Sequence, residues 1–239
     1  MIKSKQTRSH KYFLLSAILL LAFSFLAIVM VTKAGSLIVK WDSSLFFMIN
    51  NPSKNKVGLG GVVMDQLMII LTEYGREAVW GAVLILLLIF GRAEGRRIAI
   101  LIMIAFVILI PVGPFLKDVV NRSRPIPLSS HNLLVKTDGE PSFPSGHAMI
   151  VAAGALIMLL QYNTGRKKVV ISIVLGIEAM LVIYSRIYVG GHYPLDVIGG
   201  SLLGMGVGMA VIAAAASPRI TPLFTFLGLE ERKVSTKRN

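Results

Sequence analysis

Between Ile98 and Leu116 the chain reads IAILIMIAFVILIPVGPFL, nineteen residues without a charge. A helix of that length approaches the ~30 Å hydrocarbon thickness of a bilayer. Arg92, Arg96 and Arg97 precede the run and Lys117 follows it, so its ends meet polar surroundings. Similar runs lie on either side, near Tyr12–Thr32, Glu77–Phe90, Ala148–Tyr162, Val169–Tyr188 and Val197–Ala216. Several are short for a bilayer, and their ends are expected to extend into the flanking polar residues. The stretch from Asp42 to Tyr74 differs: it holds Asn50-Asn51-Pro52, Lys54 and Lys56, then an amphipathic run Val62–Thr72 interrupted by Asp65 and Gln66. It reads as helices lying at the interface, with a seventh span as the alternative. The expected fold is all-α: a polytopic membrane protein with six transmembrane helices and interfacial helices after the first span.

Composition agrees. The chain has 239 residues, a length suited to a single domain over 1–239. It is 54% hydrophobic and 15% charged, with mean hydropathy +0.72, too little polar surface to cover a soluble domain. The first run follows Lys3, Lys5, Arg8 and Lys11, yet its apolar core is longer than a signal peptide's and no small-x-small cleavage site follows. It reads as a retained anchor. The net charge of +13 sits in short segments between apolar runs, without the aromatic interleaving or motifs of nucleic-acid binders. Cations beside anionic headgroups account for it, and no nucleic-acid partner is expected. With no cysteine, disulfides and cysteine-based metal or redox chemistry are excluded.

Six spans place both termini on one side. That side carries the N-terminal cations, Arg92 to Arg97, Arg166 to Lys168, and Arg219 with the basic tail. The positive-inside rule makes it cytoplasmic, which leaves 33–76, 117–147 and 187–196 outside.

Three polar clusters fall at the expected outer ends. In Lys117-Asp118-Val119-Val120-Asn121-Arg122-Ser123-Arg124-Pro125, offsets of zero, four and seven put Lys117, Asn121 and Arg124 on one helix face. Pro125 disfavours helix at Arg124 and is expected to end it there. In Pro144-Ser145-Gly146-His147, Ser145 is a good N-cap, Gly146 admits a ligand to the backbone, and the free amides of the helix start attract an anion. In the third, Ser185-Arg186 closes one span, Gly190-Gly191 turns, and His192 stands four residues before Asp196 across a helix start that Pro194 favours. The carboxylate can then reach one imidazole nitrogen and make the other a better base or nucleophile. Singly, these clusters also suit snorkelling cations, an ordinary capped helix and a pair that ties down a turn. Jointly they bring three cations, a helix N-terminus and two histidines to one membrane face, where charged groups are costly and usually functional.

These residues resemble the type 2 phosphatidic acid phosphatase superfamily. Its signature K-x6-R-P, P-S-G-H and S-R-x5-H-x3-D stands complete as Lys117…Arg124-Pro125, Pro144-Ser145-Gly146-His147 and Ser185-Arg186…His192…Asp196. The match spans 117–196 and extends to the six-span layout. The resemblance implies that His192 is the nucleophile, forming a phosphohistidine, with Asp196 orienting it. His147 would protonate the leaving oxygen and then activate water. Lys117, Arg124 and Arg186, with Ser145 and the Gly146 amide, would hold the phosphoryl oxygens. No metal or other cofactor is expected, and the remaining histidines, His10 and His131, suggest no metal site.

The implied partner is a phosphorylated membrane lipid, its headgroup at the cations and its tails in the bilayer. Small size without an added soluble domain is similar to the bacterial phosphatidylglycerophosphate phosphatase B type. Members of that type act on phosphatidylglycerophosphate and, in overlapping fashion, on undecaprenyl pyrophosphate and phosphatidate. Phosphatidylglycerophosphate and undecaprenyl pyrophosphate are the leading expected substrates, between which the motifs do not choose; an outward site favours undecaprenyl pyrophosphate if phosphatidylglycerophosphate is made on the inner leaflet. A non-catalytic carrier of phosphate lipids would explain the cations but leaves the His192–Asp196 pair and His147 without a purpose. A phosphatase of water-soluble esters is a further alternative.

Other features have plainer readings. Gly200, Gly204 and Gly208 suit close helix packing, within the chain or between two chains. Glu178 in the fifth span requires a neutral form or a partner. Pro111 and Pro114 are expected to kink the third span.

Overall fold

The computed structural model of the chain describes residues 2–32, 36–50, 59–125, 133–135, 139–226 and 229. Asn51, Pro52, Lys54, Lys56, His131 and the tail 230–239 lie outside the described residues. Within them the fold is entirely helical: α1 (Ile2–Thr32), α2 (Ser36–Ile49), α3 (Leu59–Tyr74), a π-helical turn (Gly75–Val79), α4 (Trp80–Phe90), α5 (Arg92–Val120), α6 (Gly146–Gln161), α7 (Arg166–Tyr188), α8 (Pro194–Ala216) and α9 (Thr221–Phe226).

Among the described residues, four segments are long and apolar enough to cross a bilayer: Ser9–Thr32, Arg92–Val120, Arg166–Tyr188 and Pro194–Ala216. Large apolar side chains such as Phe13, Leu21 and Phe25 on α1 lie exposed, as a lipid-facing helix allows. α6, with 16 residues, is shorter. It is also deeply enclosed, with Ala148, Val151, Ala153 and Ile157 showing no exposed surface. A short helix is tolerated there because irregular backbone at membrane depth is allowed where it meets protein or a cavity. The expected second span, Glu77–Phe90, proves to be the end of a longer run, since helical backbone continues from Leu59 to Phe90 through the π turn. Asp65 does not break this run, because the Tyr188 hydroxyl donates to its Oδ1 at 2.8 Å.

α8 packs most extensively against α1 on one side and α6 on the other. Its glycines make this possible. A Cβ on Gly204 would lie 2.1 Å from the Met149 carbonyl oxygen, and one on Gly200 would lie 2.4 Å from that of Ser145. On the α1 side, the Ser16 hydroxyl donates to the Gly206 carbonyl at 2.8 Å. The glycine stripe is thus used within the chain, drawing α6 onto α8. That contact joins the second signature cluster to the third. α5 runs through Pro111 and Pro114 without interruption. Glu178 sits on α7 against Gly75, where a Cβ would come 3.1 Å from its Oε1.

Candidate active site

α8 starts in an order that its sequence explains. Pro194 occupies the first helical position, Tyr193 is extended, and Asp196 sits in the first turn. There the Tyr193 amide donates to Asp196 Oδ2 at 2.9 Å. The same oxygen lies 3.6 Å from His192 Nδ1, within ion-pair reach and longer than a hydrogen bond. Asp196 Oδ1 accepts from Arg122 Nη1 at 2.6 Å. The Ser145 amide donates to the Asp196 carbonyl at 3.0 Å, tying the start of α6 to that of α8.

Arg122 is the centre of a buried network. Its Nη2 pairs with Asp42 Oδ2 from α2, and its guanidinium lies over the Tyr193 ring at 4.4 Å. Asp42 Oδ1 accepts from the Leu195 amide at 2.8 Å. Both carboxylates are fully buried and the arginine side chain is 11% exposed. Burial pushes the Asp42 carboxyl up against the opposing pull of Arg122.

A cavity of about 640 Å³ opens beside this network. Lys117, Arg124, Gly146, His147, Arg186 and His192 all line it, although they come from three separate parts of the sequence. Arg124 donates to the Gly191 carbonyl at 2.8 Å, and its Nη1 stands 3.4 Å from His192 Nε2. Arg186 donates to Thr72 Oγ1 at 2.6 Å, while its carbonyl accepts the Gly191 and His192 amides at 3.1 Å. Lys117 bonds Glu140 Oε2 at 2.5 Å. Apolar walls continue the cavity away from the cations, including Trp80, Leu84, Phe106, Leu109 and Ile110.

Two expected residues lie outside the lining. Asp196 is behind His192. Ser145 is fully buried at the N-cap position of α6, but its hydroxyl makes no cap bond and has no hydrogen-bond partner among the described residues. The expected helix through Arg124 is corrected. α5 ends at Val120, and Asn121 takes the left-handed conformation with φ 47°. Asparagine tolerates that conformation and donates its amide to the Lys117 carbonyl at 2.7 Å, closing the helix before the proline acts. Lys117 and Arg124 therefore reach the cavity from a helix end and from the irregular chain after it, not from one helix face.

Sequence reasoning assigned no role to Asp42, Thr72, Arg76, Glu77, Arg122 or Glu140. A signal existed for two of them. Arg122 lies inside the first cluster, and Asp42 is the lone acid of α2. Among the described residues, no group of three or more histidines and acids is placed to hold a metal.

His192 is 2% exposed. Burial first, then the charges of Arg186 and Arg124, bring its imidazole down to about 4 against the upward pull of Asp196. At neutral pH the ring is neutral. Asp196 faces Nδ1 and so favours the proton there, leaving the Nε2 lone pair toward Arg124 and the cavity. Protonation would remove that lone pair. We therefore expect kcat/KM to fall as pH drops through about 4. An acid limb centred near the unperturbed histidine value of ~6.5 would mean that the ring is solvated in the working protein.

Comparison with known proteins places this geometry. The model of the PAP2 superfamily matches residues 96–218. The chain is 43% identical over 189 residues to an undecaprenyl-diphosphatase of Sulfolobus acidocaldarius, covering 78% of this chain and 84% of that one. It is also 43% identical to phosphatidylglycerophosphatase B of Bacillus subtilis, over 70 residues, 27% of this chain and 34% of that one. The crystal structure of a transmembrane PAP2 type phosphatidylglycerolphosphate phosphatase from Bacillus subtilis superposes with a TM-score of 0.61 at 24% identity, over 82% of this chain and 94% of the other.

Proposed function

Since the chain belongs to the PAP2 superfamily and is a multi-pass membrane phosphatase of lipid phosphates, we propose that its main substrate is a polyprenyl diphosphate of the undecaprenyl pyrophosphate kind. The observation that carries this reading is one cavity lined by two histidines, by four cations (Arg76, Lys117, Arg124 and Arg186) and by apolar walls. A phosphate headgroup fits the cations and a hydrocarbon chain the apolar walls. The similarity to a relative named undecaprenyl-diphosphatase spans most of both chains, whereas that to phosphatidylglycerophosphatase B spans about a quarter of this one.

The roles follow from position. His192 Nε2 attacks the terminal phosphorus, the bond to the bridging oxygen breaks, and the lipid phosphate leaves. Asp196 stabilises the positive charge that the ring acquires. His147 then takes a proton from water as the water attacks the phosphohistidine, which frees inorganic phosphate and restores the lone pair. Lys117, Arg124 and Arg186 offset the charge on the phosphoryl oxygens, with the Gly146 amide as a further donor. The lysine and arginine distribution supports cytoplasmic termini and a site on the extracytoplasmic face. There the site meets a lipid already in the outer leaflet.

A second reading, phosphatidylglycerophosphate as the main substrate, draws on the 70-residue similarity. The two separate in one assay: inorganic phosphate released in detergent, with chelator present, from undecaprenyl pyrophosphate and phosphatidylglycerophosphate side by side. We expect the larger kcat/KM on the diphosphate and no loss from chelation. A larger value on phosphatidylglycerophosphate would reverse the assignment. No release from either lipid by folded protein would favour a carrier.

A further inference from the structure

Arg76 stands in the cavity but belongs to none of the three signature clusters. It comes from the π turn Gly75–Val79, a kind of irregularity that often marks functional positions. The turn is pressed onto α7, since a Cβ on Gly75 would lie 2.3 Å from Val182 Cγ2. Arg76 Nη1 lies 3.5 Å from His147 Nδ1, and the same nitrogen would be 3.7 Å from a Cβ on Gly146. Its Nε donates to Glu77 Oε1 at 2.6 Å and its Nη2 pairs with the same carboxylate, which is half exposed. Glu77 thus fixes the guanidinium plane while Nη1 points to His147.

Three guanidinium groups line the cavity, and Arg186 acts on both histidines. Arg124 stands at His192 and Arg76 at His147. In an in-line displacement at phosphorus, the nucleophile and the leaving oxygen lie on opposite sides. With His192 attacking, the leaving group departs on the side of His147 and Arg76. A monoester leaves as an alkoxide and needs a proton. A diphosphate leaves as a phosphate monoester, a stable anion that needs a countercharge more than a proton. A fixed cation beside His147 suits the second case, and a second positive charge on that imidazole would face the guanidinium. Trp80 and Leu84, one and two helical turns further along the same run, continue the cavity as an apolar wall for the chain attached to that phosphate.

We propose that Arg76 is a specificity-determining residue: it binds the lipid-linked phosphate of a diphosphate substrate and stabilises that phosphate as it leaves. This rests on the diphosphate reading above. In the step, the His192 Nε2–phosphorus bond forms and the bond from phosphorus to the bridging oxygen breaks. The electron pair stays on that oxygen, facing Arg76, and the histidine carries the positive charge opposite Asp196.

The test compares kcat/KM on undecaprenyl pyrophosphate and phosphatidylglycerophosphate for wild type, Arg76→Gln and Arg76→Lys. The diphosphate-to-monoester ratio should fall about a hundredfold in Arg76→Gln, the scale of one lost transition-state donor. Arg76→Lys should recover part of it. An unchanged ratio would overturn the proposal. A second measurement needs no variant: inorganic pyrophosphate should inhibit wild-type turnover about tenfold more tightly than orthophosphate, as one added charge-assisted contact implies. Equal inhibition would also overturn it. If wild type itself released no phosphate from the diphosphate yet hydrolysed the monoester, the substrate reading would fail, and this proposal, which rests on it, would fall with it.

Discussion

His192→Ala is expected to lower phosphate release by about 10⁴-fold or more, the usual scale for loss of a nucleophile. The reason lies in the local geometry. His192 is buried beside Asp196 and presents Nε2 to Arg124, so the ring is neutral and aimed while its surroundings carry positive charge. No other imidazole among the described residues has a carboxylate so placed, since His147 faces Arg76 instead. The variant should still bind phosphate lipid, because Lys117, Arg124 and Arg186 remain. Rapid quenching adds a second readout. Wild type should show an acid-labile, base-stable phosphoprotein during turnover, and His147→Ala should accumulate it because the water-activating base is gone. Full activity in His192→Ala would remove the phosphohistidine mechanism. A phosphoprotein absent from wild type but turnover lost in the variant would point to His192 as a base acting on water.

The second large effect is expected from Arg122→Met, which should destabilise the fold by about 3–5 kcal/mol, the range for breaking a buried ion pair by removing one partner. Arg122 alone joins Asp42 to Asp196, and both carboxylates are fully buried. Methionine leaves two acids facing each other across the gap, where among the described residues the Leu195 and Tyr193 amides still donate to them and His192 still faces Asp196. Asp42→Asn should cost less, because the amide still accepts from Leu195 and Arg122 keeps Asp196. Thermal unfolding in detergent orders the three proteins. Equal melting of wild type and Arg122→Met would show that water reaches the carboxylates and the network is not structural. Activity should fall in Arg122→Met as well, since the side chain that holds Asp196 beside His192 is removed. In that respect Arg122 and Asp42 act as positioning residues, behind the groups that meet substrate.

Much of the site could be read before the fold was known. The three clusters are short in sequence, and each encodes its own local geometry: Pro194 and Asp196 start a helix just after His192, and Gly146 opens another just before His147. The misreading at Lys117–Arg124 shows the limit of the same logic. Period and proline suggested one continuous helix face, but a left-handed Asn121 ended the helix four residues early. Asparagine is one of the few residues able to do that, and sequence periodicity does not register it.

What the sequence determined by itself is whatever depends on near neighbours or on solvent. An apolar run near twenty residues has few homes other than a bilayer, because its backbone must satisfy itself and its side chains repel water. The signature spacing likewise set the local geometry at His192, since a histidine four residues from an aspartate across a helix start brings the two within reach. Tertiary structure alone decided the rest. Asp42 meets Arg122 across eighty residues, Arg186 meets Thr72 across 114, and Arg76 meets His147 across 71. The Arg186–Thr72 pairing depends on the Gly75 turn being pressed onto α7, and the other two likewise join elements far apart in the chain. Close packing is a property of facing surfaces, and no stretch of sequence carries the identity of the surface that it will face.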